Sequence, residues 1–160
     1  MATLESGRQV ILINDAVLAL PRETLTLEQG ARVFVAGRSV VQMTLAELAV
    51  PDAQMILTDF RQSASLGALN STLQAAGGLD RLILAADGDE SETVFSIMCA
   101  VLTFRPALRR RRGRIDLILQ DGRAVGSLVE FLQRIGETLD LDGIATELRV
   151  SEGRAIRAVA

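Results

Sequence analysis

The sequence of 160 residues has no histidine, tryptophan or tyrosine, and its only cysteine is Cys99. Without histidine, no imidazole can act as a general base or bind zinc. Without tyrosine, no reaction can use a phenol as its acid or base. The single cysteine excludes disulfides within the chain and thiolate metal clusters. Cys99 lies in the apolar run VFSIMCAVL, which predicts a buried thiol, and no metal site is expected.

Long apolar runs and an excess of positive charge are also absent. No run reaches the roughly 18 residues of a membrane span, and the start lacks the pattern of a signal peptide. These features predict a cytoplasmic protein with no membrane partner. The formal charge of −3 argues against nucleic acid as a partner. With 49% hydrophobic residues, the chain is expected to form one globular domain over 1–160, with a core at about 7–150 and a tail or weak edge strand at 151–160.

Segments with the pattern of strands and helices alternate along the chain. The predicted strands are Gln9–Asn14, Arg32–Ala36, Gln54–Thr58, Asp80–Ala86, Arg114–Leu119 and Ile144–Val150. The predicted helices are Arg22–Gln29, Thr44–Val50, Ser63–Ala76, Glu90–Leu108 and Gly122–Leu139. This alternation is typical of an α/β fold in which helices cover a mainly parallel sheet. Gly30 suits a left-handed helix end.

From Gly7 to about Val150, the order of these segments resembles the short-chain dehydrogenase/reductase family. The segments that carry the resemblance are EQGARVFVAGRS (Glu28–Ser39), TDF (Thr58–Phe60), GGLDRLILAADG (Gly77–Gly88), GRIDLIL (Gly113–Leu119) and DGIATELRV (Asp142–Val150). The resemblance implies a three-layer, Rossmann-like sandwich with a parallel sheet in the order 3-2-1-4-5-6. The chain is shorter than the family after the sixth strand, where substrate-binding loops normally lie.

The positions that carry the family's chemistry differ in this chain. The glycines of the family's TGxxxGxG loop, which let the backbone approach a pyrophosphate, fall on Ile13, Val17 and Ala19. Asp15 adds a carboxylate that would compete with a phosphate at the start of the helix. These side chains predict a closed cofactor site, so no cofactor is expected.

The catalytic positions are also replaced. The family's NNAG motif falls on Leu84-Ala85-Ala86-Asp87, and its catalytic Tyr and Lys fall near Asp121 and Val125. The chain has no tyrosine at any position. The resemblance therefore implies a degenerate, truncated domain without the family's catalysis, that is, a pseudoenzyme.

Two groups of polar residues each allow two interpretations, as part of a binding site or as ordinary surface and capping residues. Arg38 and Ser39 match the place where NADP-preferring relatives hold the 2′-phosphate, and Asp59 matches the position that meets adenine. Arg38 is otherwise a solvated loop residue, and Asp59 a helix cap or turn acceptor. The run Arg109–Arg112 could bind a phosphate, an acidic partner or nucleic acid, or could be a solvated helix C-terminus.

The helix predicted at Glu92–Leu108 is apolar around nearly its whole circumference. A helix that covers a sheet needs only one apolar stripe, so the excess predicts burial against another subunit or under the chain's own loops. The helix that follows also has a broad apolar face, and the resemblance implies that the two helices form a dimer interface. The predicted interface residues are Val94, Phe95, Met98, Val101, Leu102, Leu128, Phe131 and Ile135.

The sequence thus favours a non-catalytic subunit that acts through a dimer or tetramer. Its partner would be itself or an active paralogue of the family. The alternative is a ligand-binding or sensor domain with a remodelled nucleotide or acyl-CoA pocket near Asn14, Asp59, Ala86 and Gln120. An NAD(P)-dependent oxidoreductase is the least favoured hypothesis.

Overall fold

A computed structural model describes residues 8–19, 27–41, 43–44, 50, 52–85, 90–120, 126–152 and 155–158. The strands are β1 (Val10–Asn14), β2 (Arg32–Gly37), β3 (Gln54–Leu57), β4 (Arg81–Ala85), β5 (Arg114–Gln120), β6 (Ala145–Glu152) and β7 (Ala155–Ala158). The α-helices with defined bounds are α1 (Ser63–Ala75), α2 (Glu90–Arg111) and α3 (Gly126–Asp140). A short 3-10 helix, Asp15–Ala19, follows β1 directly.

The strands form one sheet in the order β3-β2-β1-β4-β5-β6-β7. Pairing from β3 to β6 is parallel throughout, and β7 adds to β6 as an antiparallel edge strand. The predicted Rossmann-like α/β fold and its order 3-2-1-4-5-6 are therefore confirmed. Within the predicted tail at 151–160, the structure continues β6 and adds the edge strand.

β1 lies in the interior of the sheet, third of the seven strands, and its five residues, VILIN, are all buried. A continuous apolar run is the pattern of a parallel strand covered on both faces. Its neighbours are β2 on one side and β4 on the other. The carboxyl ends of these three strands therefore meet at the middle of one sheet edge.

The two faces of the sheet are covered differently. One face forms the larger core with α1, α2 and α3, and includes Leu12, Phe34, Leu82 and Leu117. The other face forms a smaller cluster that includes Ile11, Ile13, Val35 and Ile83, with Val17 from the 3-10 helix and Met43 packed among them. Side chains alternate between faces along a strand, so β1 contributes to both clusters.

Charged residues of β4, β5 and β6 form an ion-pair array on the second face. Asp116, which is only 1% exposed, accepts from Arg81 Nε at 2.6 Å and Arg114 Nε at 2.7 Å. Arg114 also pairs with Glu147, which accepts from Arg149 Nε at 2.9 Å. The hydrogen bond from Arg149 is the main reason that the pKa of Glu147 is lowered. Each buried carboxylate of the array is thus paired, as a low-dielectric environment requires.

The end of α2 differs from the prediction, because the helix continues past Leu108 to Arg111. It then closes with Arg112 in the left-handed conformation, at φ 49°. The Gly113 N–H donates to the Leu108 carbonyl at 2.8 Å, which satisfies one carbonyl of the last turn. The predicted end of the helix was too early, because a non-glycine residue that closes a helix in the left-handed conformation gives no signal in the sequence.

Other predicted helices lie partly outside the described residues. Most of the helix at Arg22–Gln29 does, although Gly30 adopts the expected positive φ of 81°. Residues 45–49 and 121–125 also lie outside them, so the helix at Thr44–Val50 and the start of the helix at Gly122–Leu139 are not described. Among the residues described, no helix is long and apolar enough to cross a membrane.

Candidate functional site

A cleft lies at the carboxyl ends of β1, β2, β3 and β4. Its volume is about 40 Å³, room for about three water-sized spheres, since one water needs roughly 10–15 Å³. Typical small-molecule sites span about 300–1,000 Å³. The lining residues are Asn14, Asp15, Gly37, Arg38, Thr58, Asp59, Phe60, Arg61, Leu84, Ala85, Glu92, Thr93, Ser96 and Ile97.

Asn14 closes the floor of the cleft between β1 and β4. Its Nδ2 donates to the Ala85 carbonyl at 2.9 Å, and its Oδ1 accepts from the Ala85 N–H at 2.9 Å. The amide group therefore continues the hydrogen-bond ladder between the two strands by one further pair. The side chain is buried, so both bonds form away from solvent. In open α/β sheets this gap between central strands is where ligands bind, and here the protein bridges it.

Asp15 covers the cleft on the other side of β1. A β-carbon built on Gly37, the last residue of β2, would lie 2.6 Å from the Asp15 β-carbon and nearer still to its carboxylate. Contacts under about 3.0 Å do not occur between real side chains of this kind. The side chain of Asp15 therefore lies directly over the Gly37 backbone, and only glycine leaves it that space.

Two of the three residues at the family's glycine positions are part of the core. Ile13 and Val17 are both fully buried, and Ala19 ends the 3-10 helix. Both side chains pack in the smaller core cluster, so they anchor the turn after β1 to the sheet. The small volume of the cleft and the Asp15 carboxylate therefore do not fit the pyrophosphate of a dinucleotide.

Arg38 and Ser39 follow β2 and lie on the Gly37 side of the cleft. Arg38 is exposed, lines the cleft and makes no ion pair with any residue that the structure describes. The Ser39 carbonyl accepts the Met43 N–H at 2.9 Å, so Ser39 begins a helical turn. The structure thus places the Arg38 side chain at the cleft and uses the Ser39 backbone to start the next element.

Asp59 is bound within its own turn. Its Oδ1 accepts from the Arg61 N–H at 3.0 Å, and its N–H donates to Ser65 Oγ at 2.9 Å. These bonds make Asp59 a hydrogen-bond acceptor in the turn before α1, which is one of the roles that its sequence position allowed. The carboxylate also faces the Arg61 guanidinium at 3.4 Å. Asp59 therefore stabilises the chain's entry into α1 while lining the cleft.

The first two turns of α2 supply cleft residues that the sequence did not indicate. Glu92, Thr93 and Ser96 line the side opposite β2, and Thr93 is buried. The signal available in advance was their place at the start of the helix that follows β4, since the segments after parallel strands begin at one edge of the sheet. Ala86 and the side chain of Gln120, which were expected near this pocket, lie outside the described residues.

The cleft combines three carboxylates, Asp15, Asp59 and Glu92, with the guanidinium groups of Arg38 and Arg61. Its hydroxyl groups have no imidazole to activate them, because the chain has no histidine. Across the residues described, no group of three or more Cys, Asp or Glu side chains could hold a metal ion. The arrangement is chemically suited to internal ion pairing and hydrogen bonding.

The predicted interface residues separate into three classes of exposure. Phe95 is 52% exposed and Leu102 is 62% exposed, both on the outer side of α2. Val101 and Leu128 are buried in the chain's own core, so they offer no surface to a partner. Half-buried positions complete the set: Val94, Met98, Phe131 and Ile135.

The outer side of α3 is polar. Glu130 and Arg134 form an ion pair at 2.9 Å one turn apart, and Glu137 and Thr138 are exposed beside them. The apolar residues of α3 instead pack toward the sheet, with Leu128, Leu132 and Leu139 in the core. Within the described parts of the two helices, the large exposed apolar side chains, Phe95 and Leu102, therefore belong to α2.

Comparison with solved structures identifies the fold. The chain superposes on a metagenomic short-chain oxidoreductase in complex with NADP, with a TM-score of 0.68 at 18% identity over 91% of this chain and 83% of that one. A short-chain oxidoreductase from Pseudomonas aeruginosa PAO1, with NADPH bound and an atypical catalytic center, has a TM-score of 0.68 at 16% identity over 85% and 68%. The chain has the fold of the short-chain dehydrogenases/reductases.

A member of that family from Saccharomyces cerevisiae has a TM-score of 0.65 at 16% identity, with 89% of this chain and 70% of that one covered. The chain spans between 65% and 83% of the lengths of such structures. No protein-family model and no curated protein sequence matches it. At these identities the likeness to short-chain dehydrogenases/reductases concerns the fold.

Proposed function

We propose that this protein is a non-catalytic subunit with a short-chain dehydrogenase/reductase fold, and that it acts through oligomerisation. The observation that carries the proposal is the exposure of Phe95 and Leu102 on one side of α2. Large apolar side chains grouped on one helix face mark interaction sites more often than scattered ones do. The partner is a second copy of the chain or an active paralogue of the family.

The absence of catalysis is proposed on two grounds. The chain contains no tyrosine to serve as the family's acid and base. The cleft holds Asp15 and the Asn14 bridge where a dinucleotide would bind, and its volume is about 40 Å³. Neither ground depends on the other, because the first comes from composition and the second from geometry.

Light scattering coupled to size-exclusion chromatography tests the proposal. The wild type should elute as a dimer or larger species at micromolar concentration, and Leu102→Ser should shift it toward monomer. Leu57→Ser is the matched control, because Leu57 is 63% exposed but lies on the edge strand β3. A monodisperse wild-type monomer that co-purifies with no partner would refute the proposal.

A second candidate is a ligand-binding or sensor domain. Arg38 favours it, because this cation lines the cleft without an ion pair among the described residues. Its ligand would be a nucleotide bound through its adenosine end or an acyl-CoA. Thermal-shift measurements with NAD(H), NADP(H), adenine nucleotides and acyl-CoA test this function. A shift that Arg38→Ala removes would support it, and the absence of any shift would count against it.

A further inference from the structure

The helices α1, α2 and α3 all end at the amino edge of the sheet, on the side opposite the cleft, and they close in the same way. Each end is a Schellman motif, in which two N–H groups beyond the helix donate to carbonyls of the last turn. The closing residue of this motif is in the left-handed conformation, which favours glycine. The closing residues donate to carbonyls three residues back at 3.0–3.3 Å: Gly77 to Gln74, Arg112 to Arg109 and Gly143 to Asp140.

Arg112 is the exception among these closing residues. Gly77 and Gly143 have φ values of 110° and 76°, and Arg112 has φ 49° although it carries a β-carbon. The left-handed conformation costs free energy for a residue with a side chain. Arg112 is exposed and forms no ion pair with any residue that the structure describes, so no such contact offsets this cost within the fold. A residue held against its backbone preference points to a function of its side chain.

Arg112 belongs to a row of arginines at the amino ends of four neighbouring strands. Arg32 is the first residue of β2, and its guanidinium carbon lies 5.1 Å from the centre of the Phe34 ring. Arg8 precedes β1, and its Nε donates to the Gly30 carbonyl at 2.6 Å. Arg8 and Arg32 are both exposed. These contacts hold the two guanidinium groups at the edge of the sheet, where solvent or a partner can reach them.

An ion pair forms the middle of the row. Asp80, just before β4, accepts from Arg111 Nε and Nη2 at 3.1 Å each. Its Oδ2 also accepts from the Val10 N–H at 2.9 Å, which joins the end of α2 to the start of β1. In the described residues at this part of the edge, Glu28 is the other carboxylate. Four arginines thus face two carboxylates, which leaves the edge positive on a chain with a net charge of −3.

The strand order sets the length of this row. The strands lie in the order β2-β1-β4-β5, and neighbouring strands are about 4.8 Å apart. The three spacings from Arg32 at β2 to Arg112 ahead of β5 therefore cover about 14 Å. Within the described ranges, Arg8 and Arg32 make no ion pair, as is the case for Arg112. The edge therefore presents three guanidinium groups over a length of about 14 Å.

We propose that the amino edge of the sheet binds an extended acidic segment of a partner protein, whose carboxylates pair with Arg8, Arg32 and Arg112. In an extended chain, alternate side chains point to the same side, and each residue adds about 3.3 Å. Three carboxylates at alternate positions therefore span about 13 Å, which matches the length of the row. A guanidinium group binds a carboxylate through two parallel hydrogen bonds, as Arg111 already binds Asp80.

Other anions fit this edge less well. A single phosphate can contact only part of a row of about 14 Å. A nucleic-acid strand binds through aromatic side chains on which its bases stack, and the chain has no tryptophan or tyrosine. A longer polyanion would also extend past the edge onto a chain that is negative as a whole. The row does not include Phe95 or Leu102, so this inference is independent of the proposed oligomerisation.

Fluorescence anisotropy at low salt tests the site with a labelled ten-residue peptide of alternating Glu and Thr. The wild type should bind this peptide saturably and should not bind the matching peptide of Gln and Thr. The triple variant R8Q/R32Q/R112Q should raise the Kd by at least about tenfold, because each exposed ion pair contributes up to about fivefold. Thermal melts show whether the triple variant is folded.

The matched control removes the same charge from three exposed arginines elsewhere in the chain: R38Q/R61Q/R134Q. Arg38 and Arg61 line the cleft, and Arg134 lies on the outer side of α3, so none of them is at the amino edge. The Kd of this control for the Glu-Thr peptide should stay within about threefold of the wild type, because only the overall charge has changed.

Arg112→Gly separates binding from folding. Glycine suits the left-handed closing position, so this variant should melt at the same temperature as the wild type or higher. It should nevertheless bind the Glu-Thr peptide about threefold to fivefold more weakly, since one exposed ion pair is lost. An arginine with a merely structural role would give no such loss of affinity.

Three results would overturn the inference. The first is a wild type that does not bind the Glu-Thr peptide, and the second is an R112G variant that binds it as tightly as the wild type. The third is displacement of the labelled peptide by a ten-nucleotide oligothymidylate at a lower concentration than by unlabelled peptide, which would assign the edge to nucleic acid. None of these results would change the oligomeric state on which the proposed function rests.

Discussion

The cleft at the carboxyl ends of the strands and the outer face of α2 use their side chains in opposite ways. In the cleft, Asn14 binds the Ala85 backbone and Asp15 covers Gly37, so polar groups fill the space between strands. On α2, Phe95 and Leu102 point away from the core and stay exposed. The difference favours a role for the helix surface over a role for the fold's usual ligand site.

The contrast has a local cause in each region. At the cleft, two consecutive residues at the end of β1 reach in opposite directions, Asn14 toward β4 and Asp15 toward β2. At α2, the inward positions already hold enough apolar area, with Ile97, Ala100 and Phe104 in the core. Further apolar residues on the same helix can therefore only face outward.

The largest expected effect separates the buried from the exposed members of the predicted interface. Leu128→Ala should lower the free energy of unfolding by about 2–5 kcal/mol, because Leu128 is 2% exposed and its loss leaves a cavity. Leu102→Ala, at 62% exposure, should change it by less than about 0.5 kcal/mol at concentrations below the dimer Kd. Urea unfolding measures both. Equal effects would show that the two leucines share one environment.

The next effect concerns the bridge across the cleft. Asn14→Ala should destabilise the fold by about 2–3 kcal/mol, since both polar groups of Ala85 lose their partner in a buried site. Asn14→Asp keeps an acceptor for the Ala85 N–H, but its carboxyl group can donate to the Ala85 carbonyl only when it is protonated. Its destabilising effect should therefore be smaller than that of alanine only in the protonated state. Chemical denaturation at neutral and acidic pH distinguishes the two states. An unaffected alanine variant would mean that the bridge contributes nothing.

The contact between Asp15 and Gly37 predicts a coupled pair. Gly37→Ala should cost about 1–3 kcal/mol, because the new methyl group meets the Asp15 side chain. In an Asp15→Gly background the same change should cost clearly less, since glycine removes the β-carbon as well as the carboxylate. A double-mutant cycle measured by thermal unfolding gives the coupling energy. Additive effects would contradict the contact.

The smallest effect comes from the ion-pair array, which lies away from both regions. The pKa of Glu147 is lowered by its hydrogen bond from Arg149, so the unfolded state binds this proton more readily than the folded state. Its contribution to stability is present above the ordinary pKa of 4.5 and is lost as the pH falls below it. Glu147→Gln should flatten the acid limb of the stability–pH curve, by under about 1 kcal/mol for this partly exposed pair. An unchanged acid limb would contradict the assignment.

The sheet could be predicted because its strands carry their own signals. The runs at β1, β2 and β5 are apolar and short, and the structure moves their bounds by only one residue. The order of the strands came from the family resemblance. The end of α2 was not predicted, because Arg112, which closes the helix in the left-handed conformation, gives no such signal in the sequence.

The details of the cleft depend on the register between neighbouring strands, which the hydrophobic periodicity of the sequence does not specify. The sequence indicated that Asp15 would oppose a phosphate, but not that its side chain would lie on Gly37. The Asn14–Ala85 bridge requires β1 and β4 to be in one particular parallel register. The exposed residues of α2 could not be predicted for a similar reason. The sequence shows that the helix has more apolar residues than one buried face needs, but the packing of neighbouring elements decides which of them stay exposed.

The contact between Asp15 and Gly37 also restricts the order in which the sequence can change. While the aspartate is present, any residue larger than glycine at position 37 meets its side chain. Replacement of Asp15 by glycine first would remove that barrier, because any other residue keeps the β-carbon that lies 2.6 Å from the new one. Any side chain at position 37 therefore requires a prior change of the residue that follows β1.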